Sequence, residues 1–156
     1  MLALDRLAET SFELRLERGG IEFTSGQLIN IHGRTEFEDR SYTVCSGERD
    51  PHLAILFKLV PGGILTPQLA ALTPGDLVTI SGPYGEFVVR DPTRPLVFFA
   101  TGTGVAPCRS YIRTHAGLAV TLVHGARTEA ELYYRDEWAG TAYHPCLTRE
   151  SHAGMF

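Results

Sequence analysis

The sequence predicts a β domain joined to an α/β domain: an antiparallel β-barrel over residues 1–92, then an incomplete doubly wound parallel sheet over 93–156. Three observations predict it. Up to about residue 90 the segments are short and rich in β-formers, with turn residues between them. At the Pro-punctuated stretch RDPTRP the rhythm changes to a continuous apolar run, LVFFATGTG, which ends in glycines as a buried parallel strand does. Beyond that run the order of elements reads βαβαβ.

In chain order, the β-rich part offers six strands: SFELRLERGG, QLINIHG, RSYTVCS, LAILFKLV, DLVTISG and EFVVRD. TPQLAALTPGD, with a Pro-led start and a Pro-Gly stop, reads as one or two helical turns capping one end of the barrel. In the second part, APCRSYIRTHAG and EAELYYRDEWAG read as helices, while LAVTLVHGAR and AYHPCLTRE read as the second and third strands. Such a unit is half of a nucleotide-binding fold, so the chain is expected to stop inside its second domain. A parallel sheet of three strands leaves an apolar edge, and self-association through that edge is expected, near Tyr143 to Leu147.

Composition excludes several classes. With 156 residues, 44% hydrophobic and 21% charged, the chain can build a packed core. No run approaches the roughly 18 apolar residues of a spanning helix, and the start shows no signal-peptide core, so no membrane and a cytoplasmic location are expected. Cys45, Cys108 and Cys146 form no CxxC pair, and the six histidines lack ligand spacing, so no metal site is expected and the histidines read as surface or strand-end residues. A net charge of −4 speaks against nucleic acid. Of the 14 basic residues only Lys58 is lysine, which suits planar contacts to phosphate but also follows from a GC-rich gene. No Ser–His–Asp arrangement stands out in the sequence.

Three segments carry candidate chemistry. Arg40-Ser41-Tyr42-Thr43 puts a phosphate clamp, an aromatic face and hydroxyls on one strand; alone it reads rather as a surface Arg beside a half-buried Tyr. In LVPGGILTPQLAAL, Gly63, Leu65 and Thr66 lie where glycines let a ligand approach and a short helix begins; the plain alternative is an N-cap at Thr66. In ATGTGVAPC, Thr101, Gly102, Thr103 and Gly104 turn a buried strand into a helix, the context a dinucleotide site demands, although this is not a GxGxxG fingerprint.

Taken together, in this order and near these spacings, the segments resemble the ferredoxin–NADP reductase family, most closely its bacterial ferredoxin or flavodoxin reductase branch. The likeness continues in GPYGEF, LVHGARTEAEL and Leu147-Thr148-Arg149-Glu150, and so covers nearly the whole chain. It implies an FAD-binding β-barrel followed by part of an NADP-binding α/β domain. It assigns Arg40 to the FAD pyrophosphate, Tyr42 to the flavin ring face and Thr43 to the reactive nitrogen as the catalytic position, with Ser41, Gly63, Leu65 and Thr66 completing the FAD site. Thr101, Gly102, Thr103 and Gly104 match the pyridine-nucleotide turn, and Arg127, Thr148 and Arg149 stand where the branch holds the 2′-phosphate of NADP(H). The family's later strands, its Cys-Gly region and its terminal aromatic are not matched.

The expected activity is electron transfer between NADP(H) and a small carrier, ferredoxin or flavodoxin, through FAD. The alternatives are a flavin reductase or oxygenase reductase component, and a non-catalytic flavin-binding or docking module.

Overall fold

The computed structural model of the protein describes residues 1–33, 38–91, 93–115 and 117–150. Residues 34–37, 92, 116 and 151–156, with the expected boundary at residue 92, lie outside the described residues.

The chain opens with a strand that its composition hides. β1 (Ala3–Ala8) holds Asp5 and Arg6 and has little β character, yet it pairs antiparallel with β2 (Ser11–Glu17), where Arg15 meets the Asp5 carboxylate. Cross-strand pairing supplies what local propensity lacks. β3 (Leu28–Ile31), β4 (Arg40–Thr43) and β5 (His52–Lys58) follow, then the short helix α1 (Leu65–Ala70) and β6 (Ile80–Tyr84). They form two three-stranded antiparallel sheets, ordered β1-β2-β5 and β4-β3-β6, joined by a bridge between Val44 and Ile55.

β5 explains its own sequence. An antiparallel strand with one wet face alternates apolar and polar residues, but HLAILFK is apolar at five consecutive positions and all five are buried. Leu53, Ile55 and Phe57 pack inside the β domain with Leu14, Ile29, Val44 and Leu69. Ala54 and Leu56 face the other way and share a second core with Ala100, Val105, Ala106, Leu122 and Trp138. The strand is the wall common to both halves of the molecule.

The sixth expected strand, EFVVRD, does not form. Its Phe87 carbonyl instead accepts a hydrogen bond from the Tyr111 hydroxyl, and its backbone runs close against Gly26. A Cβ added to Gly26 would stand 1.7 Å from the Phe87 oxygen, at a φ of +95°, so only glycine admits this crossing.

The second half contains β7 (Leu96–Thr101), a 3-10 turn over Gly102–Val105, α2 (Ala106–Thr114), β8 (Val120–Ala126) and β9 (Ala142–Leu147). The three strands are parallel in the order β7-β8-β9. Between β8 and β9 the expected helix gives way to two short 3-10 segments, Glu129–Glu131 and Arg135–Trp138. Tyr134, at a φ of 62°, breaks the run and turns its ring under the guanidinium of Arg109, 3.9 Å away. One face of the sheet packs on α2 and β5; the other leaves Val97 and Phe99 exposed. The three cysteines are free thiols, Cys45 and Cys108 buried and Cys146 exposed. Among the described residues no helix is long and apolar enough to cross a membrane, and no cluster of metal-ligating side chains occurs. His124 departs from the surface reading of the histidines, because it is fully buried inside β8.

Polar groups fill the seam between the halves. Arg109 on α2 donates from Nη1 to Glu13 Oε2 at 2.8 Å, from Nε to Glu137 Oε2 at 2.9 Å and from Nη2 to Glu137 Oε1 at 2.6 Å. Burial alone would lower its basicity, but the two carboxylates and Tyr134 surround it and raise it instead. Ser110 Oγ donates to the Ser46 carbonyl at 2.7 Å, and the Ser11 and Tyr133 hydroxyls meet at 2.6 Å.

Arg109→Met would take from the Glu13 carboxylate, 7% exposed, its hydrogen-bonded cation and leave it only Arg15 Nε at 3.6 Å, while Glu137 loses both of its bonds to Arg109. The expected loss is about 3–5 kcal/mol of unfolding free energy, the usual result of breaking a buried pair from one side. Urea titration followed by Trp138 fluorescence checks it, and a loss below about 1 kcal/mol would mean that the seam does not need this cation.

Candidate functional site

β4 carries the first segment, and its pairing with β3 fixes where each side chain points. Arg40 stands opposite Ile31, Ser41 opposite Asn30, Tyr42 opposite Ile29 and Thr43 opposite Leu28. Alternation along a strand puts Arg40 and Tyr42 on one face and Ser41 and Thr43 on the other. The three groups expected on one ligand therefore do not share a single strand face. Arg40 and Ser41 are exposed; Tyr42 and Thr43 are half-buried. Ser41 Oγ donates to Asn30 Oδ1 at 2.7 Å, and Arg40 Nη1 donates to the Asp39 carbonyl at 2.7 Å. Burial raises the Tyr42 phenol, so the ring is neutral and presents an aromatic surface, edge-on to Phe57 at 6.4 Å.

Ahead of Arg40 the sheet assembles a hydrogen-bonded chain that sequence spacing did not reveal. Ser81 Oγ lies 2.8 Å from His32 Nε2, and His32 Nδ1 lies 2.6 Å from Asp39 Oδ2. Asp39 Oδ1 also accepts the Gly33 N–H at 3.1 Å. These bonds tie β6, the end of β3 and the entry to β4 together, which fixes where Arg40 and Tyr42 begin.

The second segment is a turn closed on itself. Gly63 N–H donates to the Val60 carbonyl at 2.9 Å, and Thr66 Oγ1 accepts the Val60 N–H at 3.0 Å. Ile64, not Thr66, caps α1, and no side chain bonds the cap; Thr66 sits in the helix's first turn beside buried Leu65. The Val44–Ile55 bridge and the Tyr42–Phe57 contact lay β4 beside β5, whose end leads into this turn.

The third segment meets its expected partners. Thr101, Gly102 and Thr103 at the end of β7, with Arg127 and Thr148 after β8 and β9, line a cleft of about 370 Å³ at the carboxyl ends of the parallel strands. A Cβ added at Gly102 or Gly104 would meet nothing within 4 Å, so open space lies against the turn's backbone. Gly104 and Arg149 do not line the cleft; Arg149 is tied beside it through its N–H to the Arg127 carbonyl at 3.0 Å. Neither the Arg127 nor the Arg149 guanidinium makes a hydrogen bond or ion pair among the described residues, whereas Arg40 has one.

Besides Gly125 and Ala126, three polar lining residues escaped the sequence reading: Lys58, Glu131 and Tyr133. Lys58, at the end of β5, reaches across the seam to form an ion pair with Glu131, whose other oxygen accepts the Arg127 N–H at 3.2 Å. The bond from Lys58 holds the Glu131 carboxyl below its ordinary range. Being the chain's single lysine, two residues before VPGG, was the signal available for Lys58; Glu131 and Tyr133 gave none.

The residues present fit the groups the resemblance implies. An exposed guanidinium, a half-buried ring and two hydroxyls on β4 suit FAD, and a glycine turn open to a cationic cleft suits a dinucleotide.

Residues 5–89 match the family described as the oxidoreductase FAD-binding domain, and residues 98–147 match the oxidoreductase NAD-binding domain. The reductase component of propane 2-monooxygenase from Rhodococcus jostii (strain RHA1) is 34% identical over 129 residues, 78% of this chain and 35% of that protein. The cytochrome P450 reductase GcoB of Amycolatopsis superimposes with a TM-score of 0.86 at 26% identity, over 99% of this chain and 52% of that one. A ferredoxin–NADP+ reductase from Plasmodium falciparum shares the fold, with a TM-score of 0.85 at 16% identity, over 97% of this chain and 70% of that one. The chain spans about a third or less of the curated relatives it matches. With the FAD-binding match covering more than half of its length and the parallel-sheet unit following in order, the chain belongs to the ferredoxin–NADP reductase family of FAD- and NAD(P)-binding oxidoreductases.

Proposed function

We propose that the protein holds FAD along β4 and the Val60–Thr66 turn, takes NADP(H) into the cleft, and passes electrons between the nucleotide and a separate carrier protein. The observation that carries this reading is the convergence of Thr101, Gly102, Thr103, Arg127 and Thr148 on one cleft, reached from the β domain by Lys58. FAD, when bound, supplies acceptance of hydride from a reduced nicotinamide and release of electrons one at a time. The chain's own residues bind and orient. Arg40 would hold the pyrophosphate and Tyr42 would offer its ring to the flavin from one face of β4, while Thr43 on the other face would turn its hydroxyl toward the reactive nitrogen, with Ser41, Gly63, Leu65 and Thr66 completing the site.

In the cleft, the turn at Gly102 and Thr103 offers its open backbone to the dinucleotide diphosphate, while Lys58 adds a cation from the other side. Two uncommitted guanidiniums, Arg127 and Arg149, beside the Thr148 hydroxyl favour a 2′-phosphate and hence NADP(H) over NAD(H). Glu131 does not overturn this, because Lys58 already neutralises it.

For the carrier, a ferredoxin or flavodoxin is the first reading, and an oxygenase component is the second. The second is favoured by the likeness to a monooxygenase reductase component and to a P450 reductase. Turnover of the complete protein with each carrier separates them. The reading also includes self-association, since the exposed sheet face at Val97 and Phe99 and the β9 edge offer a second copy apolar area and unpaired backbone groups.

Arg40→Ala is expected to weaken FAD more than FMN, because FMN lacks the pyrophosphate that Arg40 is assigned to hold. Fluorescence titration of both flavins measures it, and equal losses would remove Arg40 from that role. Arg127→Ala and Arg149→Ala are each expected to weaken 2′,5′-ADP relative to 5′-AMP by about 10-fold or more, a charged hydrogen bond being worth about 1.5–3 kcal/mol. Calorimetric titration of the two nucleotides decides it; an unchanged ratio in both variants would leave no basis for NADP selectivity.

A further inference from the structure

His124 lies directly beneath the cleft turn and touches no solvent. Its Nε2 is 3.2 Å from the Gly102 carbonyl oxygen, and its Nδ1 is 3.2 Å from the Tyr143 hydroxyl. A carbonyl only accepts, so Nε2 carries the proton, and Nδ1 is left to accept from the Tyr143 O–H. Only one neutral tautomer satisfies both contacts. Burial holds the imidazole below its ordinary range, which keeps this neutral form in place at pH 7.

The contact bears on the cleft through the geometry of one peptide bond. In a trans peptide the C=O and N–H point in opposite directions. A Gly102 carbonyl held inward toward His124 therefore aims the Thr103 N–H outward, to the side where a Cβ on Gly102 would meet only open space. Gly102, at a φ of +51° and without a Cβ, opens the 3-10 turn with a flexible backbone, so the contact from His124 adds a fixed partner to the one weak turn bond that directs this carbonyl. Turned the other way, the carbonyl would present its negative end to an anionic ligand. We propose that His124, oriented by Tyr143, is a positioning residue for dinucleotide binding: it locks the Gly102–Thr103 peptide with its N–H facing the cleft. The proposal rests on the cleft being the dinucleotide site.

The test uses the FAD-loaded protein and ADP-ribose as the probe. His124→Phe is expected to weaken ADP-ribose about 10-fold, the effect of one buried hydrogen bond, while FAD retention is unchanged. His124→Gln, whose amide N–H reaches the place of Nε2, is expected to recover most of that affinity, and Tyr143→Phe to fall between. Nitrogen-15 NMR of the unaltered protein is expected to show the Nε2-protonated tautomer for His124. Unchanged ADP-ribose affinity in His124→Phe, failure of the glutamine variant to recover it, or an Nδ1-protonated ring would each overturn the proposal. If His124→Phe does not fold, the tautomer and the Tyr143→Phe affinity still decide. Absence of ADP-ribose binding by the unaltered protein would instead overturn the reading of the cleft, and the positioning role with it.

Discussion

A buried guanidinium with carboxylates on either side is the constraint from which the rest of the structure follows. Arg109 stands on the helix that leaves the glycine turn, yet its partners are Glu13 on a strand of the β domain and Glu137 in the connection to β9. Removing such a charge from water is costly unless every donor finds an acceptor. The arrangement therefore fixes α2 against β2, and with it the distance between the β4 segment and the cleft. Around that ion cluster, β5 gives one face to each half, and its end carries both Lys58 of the cleft and the lead into the Val60–Thr66 turn.

Electrostatics in the cleft follow from the same seam. Lys58 belongs to the β domain but faces a nucleotide turn in the α/β part, and Glu131 meets it from the far side. Among the described residues the Arg127 and Arg149 guanidiniums remain uncommitted at the strand ends. The cleft thus gathers Lys58 and Arg127 against the single carboxylate of Glu131, a local surplus of cation that requires no positive net charge on the whole chain.

Much of this was legible from residues. The β-rich front, the switch at LVFFATGTG, the parallel order and the glycine turn all followed from period and punctuation. What escaped did so because non-local contacts decided it. β1 forms because β2 offers a partner, although ALDRLA has no strand signature. EFVVRD has that signature and yields it to a bond with Tyr111. EAELYYRDEWAG breaks at Tyr134 because Arg109 takes the ring. In the site, Thr101 to Thr103 were readable from their strand–turn–helix context, and Arg127 and Thr148 only through the family resemblance. Lys58, Glu131 and the buried His124 were not, since each gains its position only when β5 and β8 are folded against the turn.

The central claim is that one folded chain holds two separate ligand sites on either side of one seam. Equilibrium dialysis with FAD and ADP-ribose together tests this most directly. The account predicts one molecule of each bound per chain at the same time. Mutually exclusive binding, or loss of either ligand at saturating concentration of the other, would contradict it.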